Sequence, residues 1–246
     1  MNKFLLIPLL FASWTTFSQV SVELLQHYTI DEIEDIVVGF GIPSSFVPLD
    51  YEVDYYKVIY ETVHPNGQTI EVSGALAVPT TQCPVPLASY QHGTVAAKSN
   101  VPSQQNDEGL LGILYASVGI AITMPDLIGL GESEGVHLYV HADSQASAAM
   151  DLIITAHSLQ EELDFNLTNE HVIWGYSQGG HATMALQYLW EEQYMESYEL
   201  VASAPMSGPY DMSGAQADLI VADAPYPTPG YLPYVLISFQ EVYGTI

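Results

Sequence analysis

Hydrophobic and polar positions follow two different patterns along the 246-residue chain. Apolar and polar residues alternate on both sides of the turn Pro65-Asn66-Gly67, which predicts an antiparallel hairpin. From residue 109 onward, short apolar runs alternate with stretches of helical period. That order is typical of parallel strands joined by helices in right-handed crossovers. The chain is therefore predicted to have an α/β fold, with a mixed, mostly parallel sheet and flanking helices.

The individual elements of this second pattern can be located from their apolar positions. Strands are predicted at residues 87–90, 120–126, 171–177 and 198–208, and helices at residues 109–119, 142–159 and 179–193. The alternation of the two kinds of element places the carboxyl ends of the parallel strands at one edge of the sheet. Side chains that carry chemistry are expected there.

The remaining segments surround a predicted core at residues 51–206. Residues 1–19 have a basic start, an apolar run and a small polar end, which predicts a signal peptide; a retained membrane anchor is the alternative. Thr29 and Glu32 form a capping box, so residues 20–50 are predicted as an N-terminal helical segment. Two helical patterns around a proline-rich turn make residues 207–246 an incomplete cap.

The charge balance of the chain is extreme. Twenty-nine Asp and Glu stand against three Lys and Arg, for a formal net charge of −26. Such a surface repels nucleic acid and anionic lipid headgroups, so neither is expected as a partner. It favours solubility in a salty medium; the alternative, a specific cation site, lacks a calcium-loop pattern. The single cysteine, Cys83, cannot form an internal disulfide bond.

The segment Gly175-Tyr176-Ser177-Gln178-Gly179 joins a predicted strand to a predicted helix. Small residues on both sides of Ser177 let the strand and helix backbones approach closely. A serine on such a turn is exposed at the edge of the sheet, and the positive end of the following helix points towards it. Ser177 is therefore predicted to be a nucleophile, although a chance match to this short pattern is common.

A second segment, Gln91-His92-Gly93-Thr94, follows an earlier strand. Acyl transfer needs backbone N–H donors aimed at the developing oxyanion, and one of them usually belongs to the residue after the nucleophile. We expect Gln178 and Thr94 to supply these two N–H groups. The alternative is that Gly93 belongs to an ordinary turn.

These residues together resemble the α/β-hydrolase superfamily. The resemblance is carried by three segments: residues 175–180, residues 91–94, and residues 126–131 after the fourth strand of the superfamily's sheet. Within the superfamily, the chain is most similar to secreted bacterial relatives of the secretory lipases. The resemblance implies a secreted or periplasmic serine hydrolase that cleaves a small-molecule or lipid ester without a metal or organic cofactor. It also implies that His92, Gly93 and Tyr176 line the binding site.

The histidine that the superfamily uses as a base is missing from the expected place. That family orders its triad as serine, acid, histidine. The eight histidines are at positions 27, 64, 92, 137, 141, 157, 171 and 181, so none lies beyond the predicted helix at residues 179–193. His181 is expected to be a packed core residue. Asp211 is either the acid or, more simply, a loop or helix-cap residue.

Two accounts of the missing base remain. In the first, the chain stops before the last strands of the fold, and the acid and the histidine lie downstream. In the second, the chain is a catalytically silent binding or surface protein on a hydrolase scaffold. A peptidase or an acyltransferase with the same fold is a further alternative, because the fold alone does not define the bond that is cleaved. The oligomeric state is not predicted.

Overall fold

The computed structural model describes residues 20–226 and 228–244. The predicted signal peptide at residues 1–19 lies outside the described residues. The described part of the chain forms seven strands and six α-helices. The strands are β1 (Ser21–Tyr28), β2 (Val53–Val63), β3 (Thr69–Pro79), β4 (Val85–Gln91), β5 (Ala121–Pro125), β6 (Leu167–Tyr176) and β7 (Glu199–Met206). The helices are α1 (Ile30–Gly39), α2 (Gly109–Ser117), α3 (Ala142–Ser158), α4 (Gln178–Gln193), α5 (Ala215–Val221) and α6 (Tyr231–Tyr243).

All seven strands belong to one sheet with the order β1-β2-β3-β5-β4-β6-β7. Strands β1, β2, β3 and β5 pair antiparallel in succession, whereas β5, β4, β6 and β7 pair parallel. Five strands therefore point in the same direction, and β1 and β3 run against them. The predicted mixed, mostly parallel sheet and its opening hairpin are confirmed.

Helices cover both faces of the sheet. Successive residues of a strand point to opposite sides, so each strand contributes side chains to both helical layers. In β3, Ala75 and Ala77 pack with α1 and α2 on one face. Leu76 and Val78 belong to the core on the other face, where α3 and α4 pack. The small alanines leave room for the first pair of helices to lie close to the strands. The helices and the sheet therefore form three layers. Strands β4, β5 and β6 end at the same edge of the middle layer.

The segment at residues 20–50 differs from the prediction. Helix α1 begins as expected, since the Thr29 side chain accepts from the N–H of Glu32 and the Glu32 carboxylate accepts from the N–H of Thr29. Residues 21–28 instead form strand β1, which extends the sheet beyond β2. The register shifts between Leu24 and Gln26, so the alternation that marks a strand is interrupted in its middle.

The opposite edge of the sheet is formed by β7. In the described residues this strand pairs only with β6, and the Val201 side chain is 55% exposed. Helices α5 and α6 follow it, in agreement with the two helical patterns predicted for residues 207–246. No helix in the described ranges is long and apolar enough to span a bilayer.

Candidate active site

Ser177 lies on a sharp turn between β6 and α4. Its backbone has φ 59° and ψ −119°, a conformation that non-glycine residues adopt only under strain. The Ser177 N–H donates to the carbonyl oxygen of Met206 at 2.9 Å, which ties the turn to the end of β7. A β-carbon on Gly175 would come within 2.5 Å of the carbonyl oxygen of Gly179. The turn therefore needs glycine at these two positions, as the spacing around the serine predicts.

The segment at residues 91–94 packs directly against this turn. A β-carbon on Gly179 would lie 1.9 Å from the carbonyl oxygen of Gln91 and 2.8 Å from that of His92. A β-carbon on Gly93 would lie 3.8 Å from the carbonyl oxygen of Tyr176. The two segments are thus in backbone contact. This places Thr94, the expected oxyanion donor, on the segment that touches the serine turn.

A cavity of about 280 Å³ opens beside Ser177. Its walls come from the start of α4, the segment after β7, and helices α5 and α6. Most of the side chains are apolar or aromatic, among them Tyr139, Met212, Leu219 and Tyr231. The hydroxyls of Thr94 and Tyr139 are 3.0 Å apart, so the 91–94 segment reaches the rim of this cavity. The serine, the proposed oxyanion segment and an apolar pocket therefore meet at one place.

His92 is completely buried and is not among the residues that line the cavity, so its role in binding stays a prediction. Its Nδ1 lies 2.6 Å from the carbonyl oxygen of Gly93, and its Nε2 lies 3.1 Å from that of Asp126. Both neighbours are acceptors, so a neutral imidazole donates to one of these two carbonyl oxygens, depending on its tautomer. The imidazole connects the 91–94 segment to the residue that follows β5. Tyr176 is 58% exposed at the end of β6, and neither Tyr176 nor Gly93 is among the residues that line this cavity.

His137 has a function that sequence reasoning missed. Its Nδ1–H donates to the carbonyl oxygen of Ile128 at 2.9 Å, which leaves Nε2 to accept from the side-chain amide of Gln178 at 2.6 Å. Burial lowers the pKa of His137 to about 4, so the ring is neutral and keeps this tautomer at neutral pH. The contact fixes the first residue of α4. His137 and Gln178 are 41 positions apart in the chain, so no local sequence pattern predicts their contact.

His181 lies one helical turn beyond Ser177, but its ring is engaged elsewhere. Its Nδ1–H donates to the buried amide oxygen of Gln145 at 2.9 Å, and burial lowers the pKa of its ring to about 4. The predicted packing role agrees with this contact, although His181 is only partly buried. In the described residues, the Ser177 hydroxyl makes no hydrogen bond with a histidine or another side chain. These residues therefore supply no base in contact with the serine.

Asp211 caps a helix. Its carboxylate accepts from the N–H groups of Gly214 and Ala215, both at 2.9 Å, at the start of α5. The side chain is exposed, and both oxygens bind to the backbone of their own segment. This is the loop or helix-cap role that the sequence favoured over the catalytic acid. No cluster of three or more potential metal ligands occurs among residues 20–226 and 228–244.

The chain is similar to solved structures of hydrolases. No family model and no curated protein matches it. A protein from Legionella pneumophila assigned as a hydrolase is 28% identical, with a TM-score of 0.83, over 94% of this chain and 62% of that one. LipA from Xanthomonas oryzae, an esterase that degrades rice cell walls, is 30% identical in one structure, with a TM-score of 0.79, over 92% of this chain and 60% of LipA.

The fold is that of the α/β-hydrolases. The chain spans about three fifths of the length of these two proteins. The likeness extends over more than nine tenths of this chain. The similarity supports hydrolase chemistry, but it does not define a mechanism or a substrate.

Proposed function

We propose that this chain is the nucleophile-bearing part of an exported serine hydrolase that cleaves carboxylic esters. The observation that carries the proposal is the strained turn at Ser177, which opens onto an apolar cavity at the start of α4. A strained backbone needs support from its surroundings, and such strain is concentrated at functional sites. The similarity to hydrolases, one of them an esterase, supports the same chemistry.

In the proposed reaction, Ser177 Oγ attacks the ester carbonyl carbon and forms a tetrahedral intermediate. The N–H groups of Gln178 and Thr94 donate to its oxyanion, aided by the positive end of α4. The alcohol leaves with a proton, and an acyl group remains on Ser177. Water then attacks the acyl-enzyme, which releases the acid and regenerates the serine.

The proton of Ser177 requires a base. We propose that this base is a histidine outside the described residues, in a longer protein. Two observations support this: no described histidine contacts Ser177 Oγ, and the similar hydrolases extend well beyond the matched region. Export through the 1–19 segment is part of the same proposal.

The cavity suggests the class of ester. An apolar cavity of about 150 Å³ accommodates benzene. The 280 Å³ beside Ser177 therefore has room for roughly twice as many carbon atoms, which corresponds to a short or medium acyl group.

The experiment compares hydrolysis of p-nitrophenyl butyrate by this chain, by the longer protein, and by each with Ser177→Ala. We expect Ser177-dependent hydrolysis by the longer protein and little by this chain, because losing the triad as a unit costs about a million-fold in turnover. An inactive longer protein would favour a silent binding scaffold. Strong Ser177-dependent activity of this chain alone would mean that one of the described histidines acts as the base.

A further inference from the structure

Glu108 contacts the 91–94 segment from outside the expected site. It immediately precedes α2, and its side chain is partly buried. Its Oε2 accepts from the N–H of Gly93 at 3.1 Å and, through a short hydrogen bond, from the hydroxyl of Tyr90. One carboxylate oxygen therefore binds the backbone of the segment and a side chain of the strand that leads into it.

This contact selects which amide is available to a substrate. The Gly93 N–H points to the Glu108 carboxylate and is not free to donate to an oxyanion. The Gly93 carbonyl oxygen lies 2.6 Å from His92 Nδ1, which donates to it in the Nδ1–H tautomer. The Gly93 N–H is thus held by Glu108, and Thr94 is the next residue of the segment whose N–H can face the site. Its hydroxyl already contacts Tyr139 at the rim of the cavity.

The hydrogen bonds of Glu108 are of a kind that can hold the 91–94 segment in position. Hydrogen bonds to a charged carboxylate are stronger than those between neutral groups. Glu108 also packs against Gly93 closely, since a β-carbon on residue 93 would lie 3.5 Å from its Oε1. Burial, followed by the hydrogen bond to Glu108, raises the pKa of Tyr90 well above its ordinary value, so its hydroxyl remains a donor. The carboxylate therefore accepts from Tyr90 on β4 and from Gly93 in the segment that follows β4.

We propose that Glu108 is a positioning residue that orients the 91–94 segment, so that the Thr94 N–H faces the oxyanion formed on Ser177. The assignment rests on the proposed ester hydrolysis. An oxyanion donor is useful only when it is correctly placed, and removing one costs about 10²–10³ in kcat. Release of Gly93 would misplace the neighbouring amide without removing it. We therefore expect a smaller loss, with little change in the binding of the ground-state ester.

The experiment measures kcat and KM for p-nitrophenyl butyrate in the active, longer protein. We expect Glu108→Ala to lower kcat about 10- to 100-fold with KM within about twofold. Glu108→Gln keeps an oxygen that can accept from Gly93 and should recover most of the rate. Tyr90→Phe is the matched control, because it removes the other donor to the same carboxylate and should retain at least half of kcat.

A second measurement tests the contact without turnover. In this chain, the Gly93 amide proton should resonate downfield and exchange slowly with solvent, and Glu108→Ala should move it upfield and speed its exchange. An unchanged Gly93 amide in Glu108→Ala, or an equal loss of kcat in Tyr90→Phe and Glu108→Ala, would overturn the assignment. A wild-type protein with no esterase activity would instead refute the proposed function and leave the amide measurement to decide on the contact.

Discussion

The carbonyl oxygen of Gln91 lies 1.9 Å from the position that a β-carbon on Gly179 would occupy. The end of β4 and the first turn of α4 are therefore packed backbone against backbone. This close approach holds the proposed oxyanion segment beside the serine turn. Gly179, two residues after the nucleophile, is thus required by a contact between two elements as well as by the turn itself.

Gly179→Ala should destabilise the protein by about 1–3 kcal/mol, because neither backbone can move without disturbing the sheet. In the longer protein it should also abolish hydrolysis, since the two segments would be forced apart. Urea unfolding and the butyrate assay measure the two effects. Gly39→Ala is the control: no atom lies within 4 Å of a β-carbon at this helical position, and the change should be neutral or slightly stabilising. Equal stability of both variants would refute the packing argument.

Ser177→Gly should be more stable than Ser177→Ala. The φ of 59° is strained for both serine and alanine but not for glycine, and relief of such strain is worth on the order of 1–3 kcal/mol. Both variants should be inactive. Urea unfolding of the two proteins at the same pH gives the comparison. If alanine is as stable as glycine at this position, the turn is not strained.

The sequence predicted the elements that have a clear period, and it predicted the turn at Ser177 from the spacing of glycines. It did not predict β1, because the register shift between Leu24 and Gln26 hides the alternation of an exposed edge strand. The hairpin β2–β3 has no such shift, and its turn residues mark it clearly. Local patterns are therefore sufficient where the backbone is regular.

Contacts between side chains that are far apart in the sequence could not be predicted from local patterns. Glu108 precedes a helix, and an acidic residue is favourable at the start of any helix. Its position in the sequence therefore did not indicate a contact with Gly93. In the sequence, His137 is only one of eight histidines, whereas in the structure its side chain binds the Gln178 side chain inside the protein. Such contacts depend on the sheet order, which brings residues from different crossovers to one edge.

Acidification should destabilise the fold through its buried histidines. Burial lowers the pKa of His137, His157 and His181 to about 4, whereas an unfolded histidine titrates near 6.5. Below pH 6.5 the unfolded chain binds protons that the folded protein excludes, so stability is present above pH 6.5 and is lost between 6.5 and 4. Burial raises the pKa of Asp126 and Asp151, which acts in the opposite direction and lowers stability as pH rises.

Variants separate these contributions. His181→Gln keeps an amide donor for Gln145, and it should weaken the loss of stability between pH 6.5 and 4. His27→Gln is the control of opposite sign: its hydrogen bond to Asp54 raises the pKa of His27, so its contribution is present below pH 6.5 and lost as pH rises. Urea midpoints at four pH values measure both effects. An unchanged pH dependence in His181→Gln would show that His181 is not held neutral in the folded protein.

The free edge of β7 should make this chain self-associate. The strand pairs only with β6 in the described residues, and its Val201 side chain is 55% exposed. An unpaired edge with exposed apolar side chains is a template for pairing with another strand, and a lysine on such an edge opposes it. Val201→Lys should therefore raise the monomer fraction in sedimentation velocity at a given concentration. Val38→Lys is the matched control, because Val38 is 54% exposed but lies on helix α1, which presents no unpaired strand backbone. If the two variants associate to the same extent as each other, the edge of β7 is not the surface that drives association.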